Sequence, residues 1–274
     1  MSLGEGQRWR GGHVGERAVC VLAPNSSPMT LDGTNTWILR EPGARRSVVV
    51  DPGPLDEGHL SRVADNAGEV HAVVLTHGHA DHSEGAHVFA ERMGCGVRAL
   101  DPNFVYGSEG LHDGEVIEVD GLELRVVGTP GHTSDSLSFV LPAEGAVLTG
   151  DTVLGRGSTV VAHPDGELGA YLGSLHRLRD LAEAEAIKTI WPGHGPVLDN
   201  ALLALGSYLR HRAERLDQVR AAMAAGANDA SEVVRTVYAD VDASLWPAAM
   251  LSVQAQLVYL AQGSGLRRNS SLHE

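Results

Sequence analysis

Five apolar runs in this chain each end on a histidine or an aspartate, and that recurrence limits the fold more than any other feature. SVVV is followed by Asp51, AVVL by the cluster THGHADH at 76–82, LRVV by GTPG and His132, AVLTG by Asp151, and TIWPG by His194. The runs are short and rich in Val, Leu and Ile, which reads as β-strand. In open α/β sheets, ligand-binding groups gather where strands end. Glycine flanks nearly all of them (Gly53, Gly78, Gly131, Gly150, Gly193, Gly195) and lets backbone turn sharply close to an ion.

Between about residue 19 and residue 198 the strand-like runs alternate with helical stretches such as SEGAHVFAERMG and AYLGSLHRLRDLAEA. In the second, Leu172, Leu175, Leu178 and Leu181 keep near-helical spacing. The expectation is a layered α/β domain. After Pro196 the texture changes: Leu202, Leu205, Leu209, Leu216, Val219 and Met223 trace one helical face, GAND breaks it, and SEVVRTVYADV resumes it. A third helix is expected to open at Pro247, and the tail GSGLRRNSSLHE to fray. The boundaries follow as 1–198 for the α/β unit and 199–274 for a small helical unit.

Composition excludes several classes. No run approaches the roughly 20 apolar residues of a membrane span, and the first residues lack the apolar centre of a signal peptide, so a cytoplasmic protein without membrane contact is expected. Cys20 and Cys95 stand alone, without thiolate-site spacing, and read as free thiols. The formal charge is −14, with the acid excess confined to residues 1–204 and residues 205–274 balanced. That argues against a broad nucleic-acid footprint. In the helical unit Arg210, Arg212, Arg215 and Arg220 interleave with Glu214 and Asp217, which reads as a solvated helix face or a helical lid, and less well as a nucleic-acid-binding module.

Taken singly, each strand-end group has a bland role: Asp51 before Pro-Gly suits a turn, Asp151 a helix cap, and a lone His132 or His194 a satisfied loop histidine. The set HGHADH does not. Packing ionisable groups so closely costs several kcal/mol unless a cation compensates them. Imidazole and carboxylate without thiolate suit zinc or a neighbouring divalent metal. His77, His79, Asp81, His82, His132, Asp151 and His194 make seven candidate ligands, too many for one tetrahedral centre and enough for two metal ions sharing a carboxylate.

THGHADH, TPGHT, TGD and PGHG, in this order, resemble the metallo-β-lactamase superfamily, whose fold is an αββα sandwich. The resemblance implies His77, His79 and His132 on a first metal, Asp81, His82 and His194 on a second, Asp151 bridging them, and Asp51 orienting a ligand histidine from behind. The longer stretches MTLDGTNTWILR, GDTVLGRGSTVV, WPGHGPVLDN and YLRHRAERLDQV resemble the mitochondrial beta-lactamase-like endoribonucleases and their bacterial relatives, which carry a winged-helix-like domain after PGHGP. That family implies cleavage of single-stranded RNA, a phosphodiester, by a hydroxide bridging two zinc, manganese or iron ions, with Asp81 positioning it. The same site suits a glyoxalase II-like thioesterase or a lactonase acting on a small ester or thioester. A β-lactamase fits less well, because lactamases with this histidine motif lack the bridging aspartate. His163 is a candidate proton donor to the leaving group, and Asn35 and Thr36 are candidate substrate-side groups.

Overall fold

The computed structural model describes residues 8–270. One sheet carries β1 (Gly12–Val14), β2 (Ala18–Leu22), β3 (Asn35–Leu39), β4 (Arg46–Val50), β5 (Glu69–Val74) and β6 (Gly96–Arg98), in sequence order. The other carries β7 (Val116–Val119), β8 (Leu122–Gly128), β9 (Leu137–Leu141), β10 (Ala146–Gly150) and β11 (Thr189–Pro192), in the order β11-β10-β9-β8-β7. β4, β5 and β6 run parallel, as do β10 and β11, because helices make the crossovers between them.

Period-two alternation explains the layering. In β4, Val48 and Val50 face the seam between the sheets while Val49 faces outward. In β9, Leu137, Phe139 and Leu141 face the same seam and Val140 the opposite side. Trp37 and Trp191 stack across the seam with ring centres 5.2 Å apart. Both faces of each sheet are therefore apolar and both outer faces need cover. On the first sheet α1 (Glu57–Ala67) and α3 (Ala86–Met93) supply it with Leu60, Val63 and Phe89. On the second, α4 (Leu168–Ala184) and α5 (Ala201–Ala224) supply Leu175, Leu178 and Leu205. One further turn of helix, α2 (Ala80–Ser83), sits at the end of β5.

The helices expected after Pro196 are α5, α6 (Ala230–Val237) and α7 (Trp246–Ser270), joined by short non-helical turns, and the described part of this segment holds no strand beyond an isolated bridge at Leu198. α5 belongs to two clusters: Ala201, Leu205, Tyr208 and Leu216 pack with the second sheet's outer layer, whereas Val219 and Ala222 pack with Val233, Val234 and Val253 of α6 and α7. The tail expected to fray is helical through Ser270, and its last four residues lie outside the described residues. Helix α1 escaped the sequence reading, since only Leu60, Val63 and Ala67 mark its apolar face and a buried His59 interrupts it. Among the described residues no helix is long and apolar enough to cross a membrane. Cys20 is buried and Cys95 half-buried, both as free thiols.

Candidate metal centre

All five strand-end turns open on one edge of the sandwich. The strand β4 is followed directly by Asp51, whose φ of 50° puts a non-glycine residue in the left-handed region. Its surroundings fix that conformation: its N–H donates to the Val74 carbonyl at 3.0 Å, and its own carbonyl accepts from Thr36 Oγ1 at 2.7 Å. The Asp51 carboxylate then accepts from the Thr76 N–H at 2.7 Å, from Thr76 Oγ1 at 2.6 Å and from His82 Nδ1 at 2.8 Å. It thus holds both sides of the histidine cluster.

Hydrogen bonds on the far ring nitrogens decide which atoms face inward. Thr76 Oγ1 gives its proton to Asp51, so at 3.0 Å from His77 Nδ1 it accepts, and His77 Nε2 is left with a bare lone pair. His132 Nδ1 donates to the Val160 carbonyl at 2.8 Å, His82 Nδ1 to Asp51, and His194 Nδ1 to the Gly33 carbonyl at 3.2 Å. Each of these rings therefore aims Nε2 into the cluster. His77 Nε2 and His132 Nε2 both stand 3.0 Å from His79 Nδ1. On the other side His194 Nε2 lies 3.2 Å from Asp81 Oδ2, and His82 Nε2 lies 3.5 Å from the same oxygen.

Two groups result, His77 with His79 and His132, and Asp81 with His82 and His194, each with ligand atoms within 4.8 Å of one another. Asp151 stands between them: Oδ2 is 3.3 Å from His194 Nε2 and 3.7 Å from His132 Nε2, while Oδ1 is 3.5 Å from His82 Nε2. Gly193 makes room for it, because a Cβ there would sit 2.5 Å from Asp151 Oδ1.

The electrostatics call for added positive charge. Burial first, then the charges of His82 and His132, push His77 well below the usual histidine range, and burial lowers His132 as well. Burial also opposes charge on His82 and His194, yet the carboxylates win: Asp151 and Asp51 hold His82 well above its ordinary value, and Asp151 and Asp81 hold His194 up to about 9. Asp151 and Asp81 are correspondingly held low by those two histidines against their own burial. Asp151 Oδ1 is buried without a hydrogen-bond partner. Converging bare nitrogens that no proton can satisfy together, and an orphaned carboxylate oxygen, fit divalent metal ions, which would release the protons held on the second group.

Several sequence expectations need correction. Asn35 does not face a substrate: it is fully buried, donates to the carbonyls of Pro192 and Gly195 at 2.9 Å each, and accepts from Trp9 Nε1 at 2.8 Å. It fastens the turn that carries His194. Thr36 likewise serves Asp51 and, at 2.9 Å, His59 Nε2. His163 lies in a shallow groove with Leu168, Ala255 and Tyr259, away from the ligand cluster, because its loop turns back onto α7. Arg212 and Arg215 are not part of a solvated face. They turn inward on α5 beside Tyr171 and Tyr238, while Arg220 keeps its exposed pair with Asp217.

Sequence reading also missed supporting groups. Thr34 Oγ1 donates to Asp81 Oδ2 at 3.1 Å. Behind Asp151, Thr159 Oγ1 donates to its carbonyl at 2.7 Å, Tyr171 to the Thr152 carbonyl at 2.7 Å, and Tyr208 accepts from the Leu154 N–H at 2.8 Å. Lone hydroxyls on strands and helices carry no signal that points to a distant loop.

A cavity of about 290 Å³ opens from His132 and Asp151. Its floor and rim are Leu31, Leu154 and Val160, its far wall Arg212, Arg215, Tyr238, Leu245 and Ala249 from the C-terminal helices.

Comparisons with known proteins agree with this architecture. Residues 29–194 match the metallo-beta-lactamase superfamily model, and residues 230–263 the beta-lactamase associated winged helix domain. The lactamase-like protein aptB of Emericella nidulans is 35% identical over 217 residues, covering 76% of this chain and 66% of that one, so the chain spans about two thirds of that relative. A beta-lactamase-like protein 2 homolog of Caenorhabditis elegans is 31% identical over 255 residues, 88% of this chain and 83% of that one. An atrochrysone carboxyl ACP thioesterase of Aspergillus chevalieri is 32% identical over 240 residues, 82% of this chain and 74% of that one. Among solved structures, a beta-lactamase domain protein of Burkholderia ambifaria shares the fold with TM-score 0.78 and 22% identity, over 94% of this chain and 91% of that one. The chain belongs to the metallo-β-lactamase superfamily, as a metal-dependent hydrolase that carries the family's associated winged helix domain.

Proposed function

We propose that this hydrolase cleaves a small acyl thioester whose acyl or carrier portion fills the cavity under the C-terminal helices. The cavity carries the reading: its size is near that of sites for single small molecules, and its lining is mostly apolar. Bound divalent metals would supply Lewis acidity toward a carbonyl oxygen and a water acidified toward neutral pH. His77, His79, His132, Asp81, His82, His194 and Asp151 would hold them.

The chain's own groups orient the reaction. Asp81 Oδ2, kept ionised and fixed by Thr34 Oγ1, is placed to accept a proton from the attacking water. Leu31, Leu154 and Val160 keep bulk water off the acyl carbonyl. The leaving group discriminates between substrates. A thiolate departs from a thiol of pKa about 8.5 and needs little help, whereas the alkoxide of a phosphodiester needs a proton donor. His163 faces another groove, and His211 in the cavity wall is pushed down by burial and by Arg212 and Arg215, which disfavours its charged donor form. The thioesterase name of a relative at 32% identity points the same way.

Single-stranded RNA, the substrate implied by the sequence resemblance, is the second reading; Arg212 and Arg215 give the cavity charge that a phosphodiester would use. Zinc- or manganese-loaded protein should be offered a panel of acyl thioesters and a short labelled single-stranded RNA, with the Asp81→Ala, His82→Ala variant alongside. Thioester turnover by wild type alone is the expected result. RNA cleavage by wild type alone, with no thioester turned over, would replace this reading with the ribonuclease.

A further inference from the structure

The cavity wall opposite the metal ligands carries two cations that the hydrolytic chemistry leaves unused. Arg212 and Arg215 stand one turn apart on α5 and both line the cavity. Arg212 is 4% exposed; its guanidinium lies 4.9 Å from the centre of the Tyr171 ring and donates to the Thr159 carbonyl, and its Nε is buried with no hydrogen-bond partner. Arg215 lies 4.4 Å from the Tyr238 ring centre and donates to the Val237 carbonyl and to Gln218 Oε1.

Neither guanidinium pairs with a carboxylate among the described residues. At the cavity mouth, by contrast, Arg156 pairs with Asp32, and on the outer face of α5 Arg220 pairs with Asp217. In a chain of formal charge −14 a counter-ion is easy to supply, so its absence from the inward pair needs a reason. Holding a guanidinium out of water without an opposite charge is unfavourable, and a ligand that brings the charge offsets that cost. The planar fork of guanidinium donors suits the oxygens of a phosphate or a carboxylate.

We propose that Arg212 and Arg215 form a subsite for an anionic group, phosphate or carboxylate, carried on the substrate away from the scissile bond. The inference rests on the thioester reading and narrows it: the thioester reaches the metal ligands from one end while its anion seats against α5. Stacking on Tyr171 and Tyr238 keeps the two forks in place, which lowers the entropy lost when the anion binds.

The test compares three thioesters of one acyl group on the metal-loaded protein: the neutral N-acetylcysteamine ester, the 3-mercaptopropionate ester with a carboxylate, and the coenzyme A ester with phosphates. Charged hydrogen bonds predict a preference in kcat/KM of about 10-fold or more for one anionic ester over the neutral one. Which anionic ester wins names the group. In Arg215→Gln, and separately in Arg212→Gln, that ratio should collapse toward one; because it is internal to each preparation, partial misfolding cancels. A ratio near one in the wild type, or a ratio preserved in both variants, overturns the subsite. If no thioester is turned over, the thioester reading fails by itself, and titration of inorganic phosphate and of propionate into wild type and Arg215→Gln decides the subsite. An affinity about fivefold or more weaker in the variant for either anion supports it, and equal affinities for both overturn it.

Discussion

The two walls of the active cavity are built on opposite plans. On the strand-end wall five of the seven candidate ligands are held from behind: His77 by Thr76, His82 by Asp51, His132 by the Val160 carbonyl, His194 by the Gly33 carbonyl and Asp81 by Thr34. On the helical wall, Tyr238, Leu245 and Ala249 meet the cavity through packing, and the two arginines are held by aromatic faces and carbonyls. Over-determined polar groups give fixed geometry, which metal binding and bond cleavage require. A packed wall can change size and charge without disturbing that geometry. Chemistry therefore belongs to the sheets, and substrate choice to the helices.

Breaking the strand-end wall should have the largest effect. Replacing Asp81 and His82 together by alanine removes two of three groups from the second cluster, and kcat/KM should fall on the order of 10³-fold or more for every substrate, with metal content falling from two ions per chain toward one by elemental analysis. Loss confined to one substrate would show that this wall also selects. A smaller effect is expected one layer back. Asp51→Asn keeps the shape but weakens the grip on His82 Nδ1 and Thr76, and should weaken metal binding about 10- to 100-fold in a chelator competition. Unchanged affinity would mean that His82 needs no support. The helical wall sharpens the contrast: Ala249→Phe narrows the cavity and should cost about 10-fold or more in kcat/KM for long acyl chains and little for acetyl, since each buried methylene of substrate is worth roughly 1–3 kcal/mol. An equal loss for both chain lengths, with metal content intact, would place Ala249 in the chemistry instead.

The readings that held were local ones. HGHADH after AVVL lies on one turn, so spacing alone puts its groups together, and the strand runs with their glycine exits appear as β4, β5, β8, β10 and β11. Asn35 was misread because its neighbours in the chain, GTNTW, say nothing of Pro192 and Gly195, the partners that use its amide. Arg212 and Arg215 were misread for a related reason. Charges that alternate along a helix look solvated until another layer buries one side, and here Thr159, Tyr171 and Tyr238 do so.

By itself the sequence determined the residue types and their places at strand ends, because alternation, turn-forming glycine and the cost of crowded charge are all short-range effects. The tertiary structure alone decided which nitrogen of each ring faces the cluster, that Asp151 stands between the two groups, and that α5 turns toward the cavity two arginines with no carboxylate partner among the described residues. Those outcomes depend on hydrogen bonds and contacts between segments from about 15 to more than 100 residues apart, such as Gly33 with His194 and Thr159 with Arg212, and no local pattern in the chain encodes them.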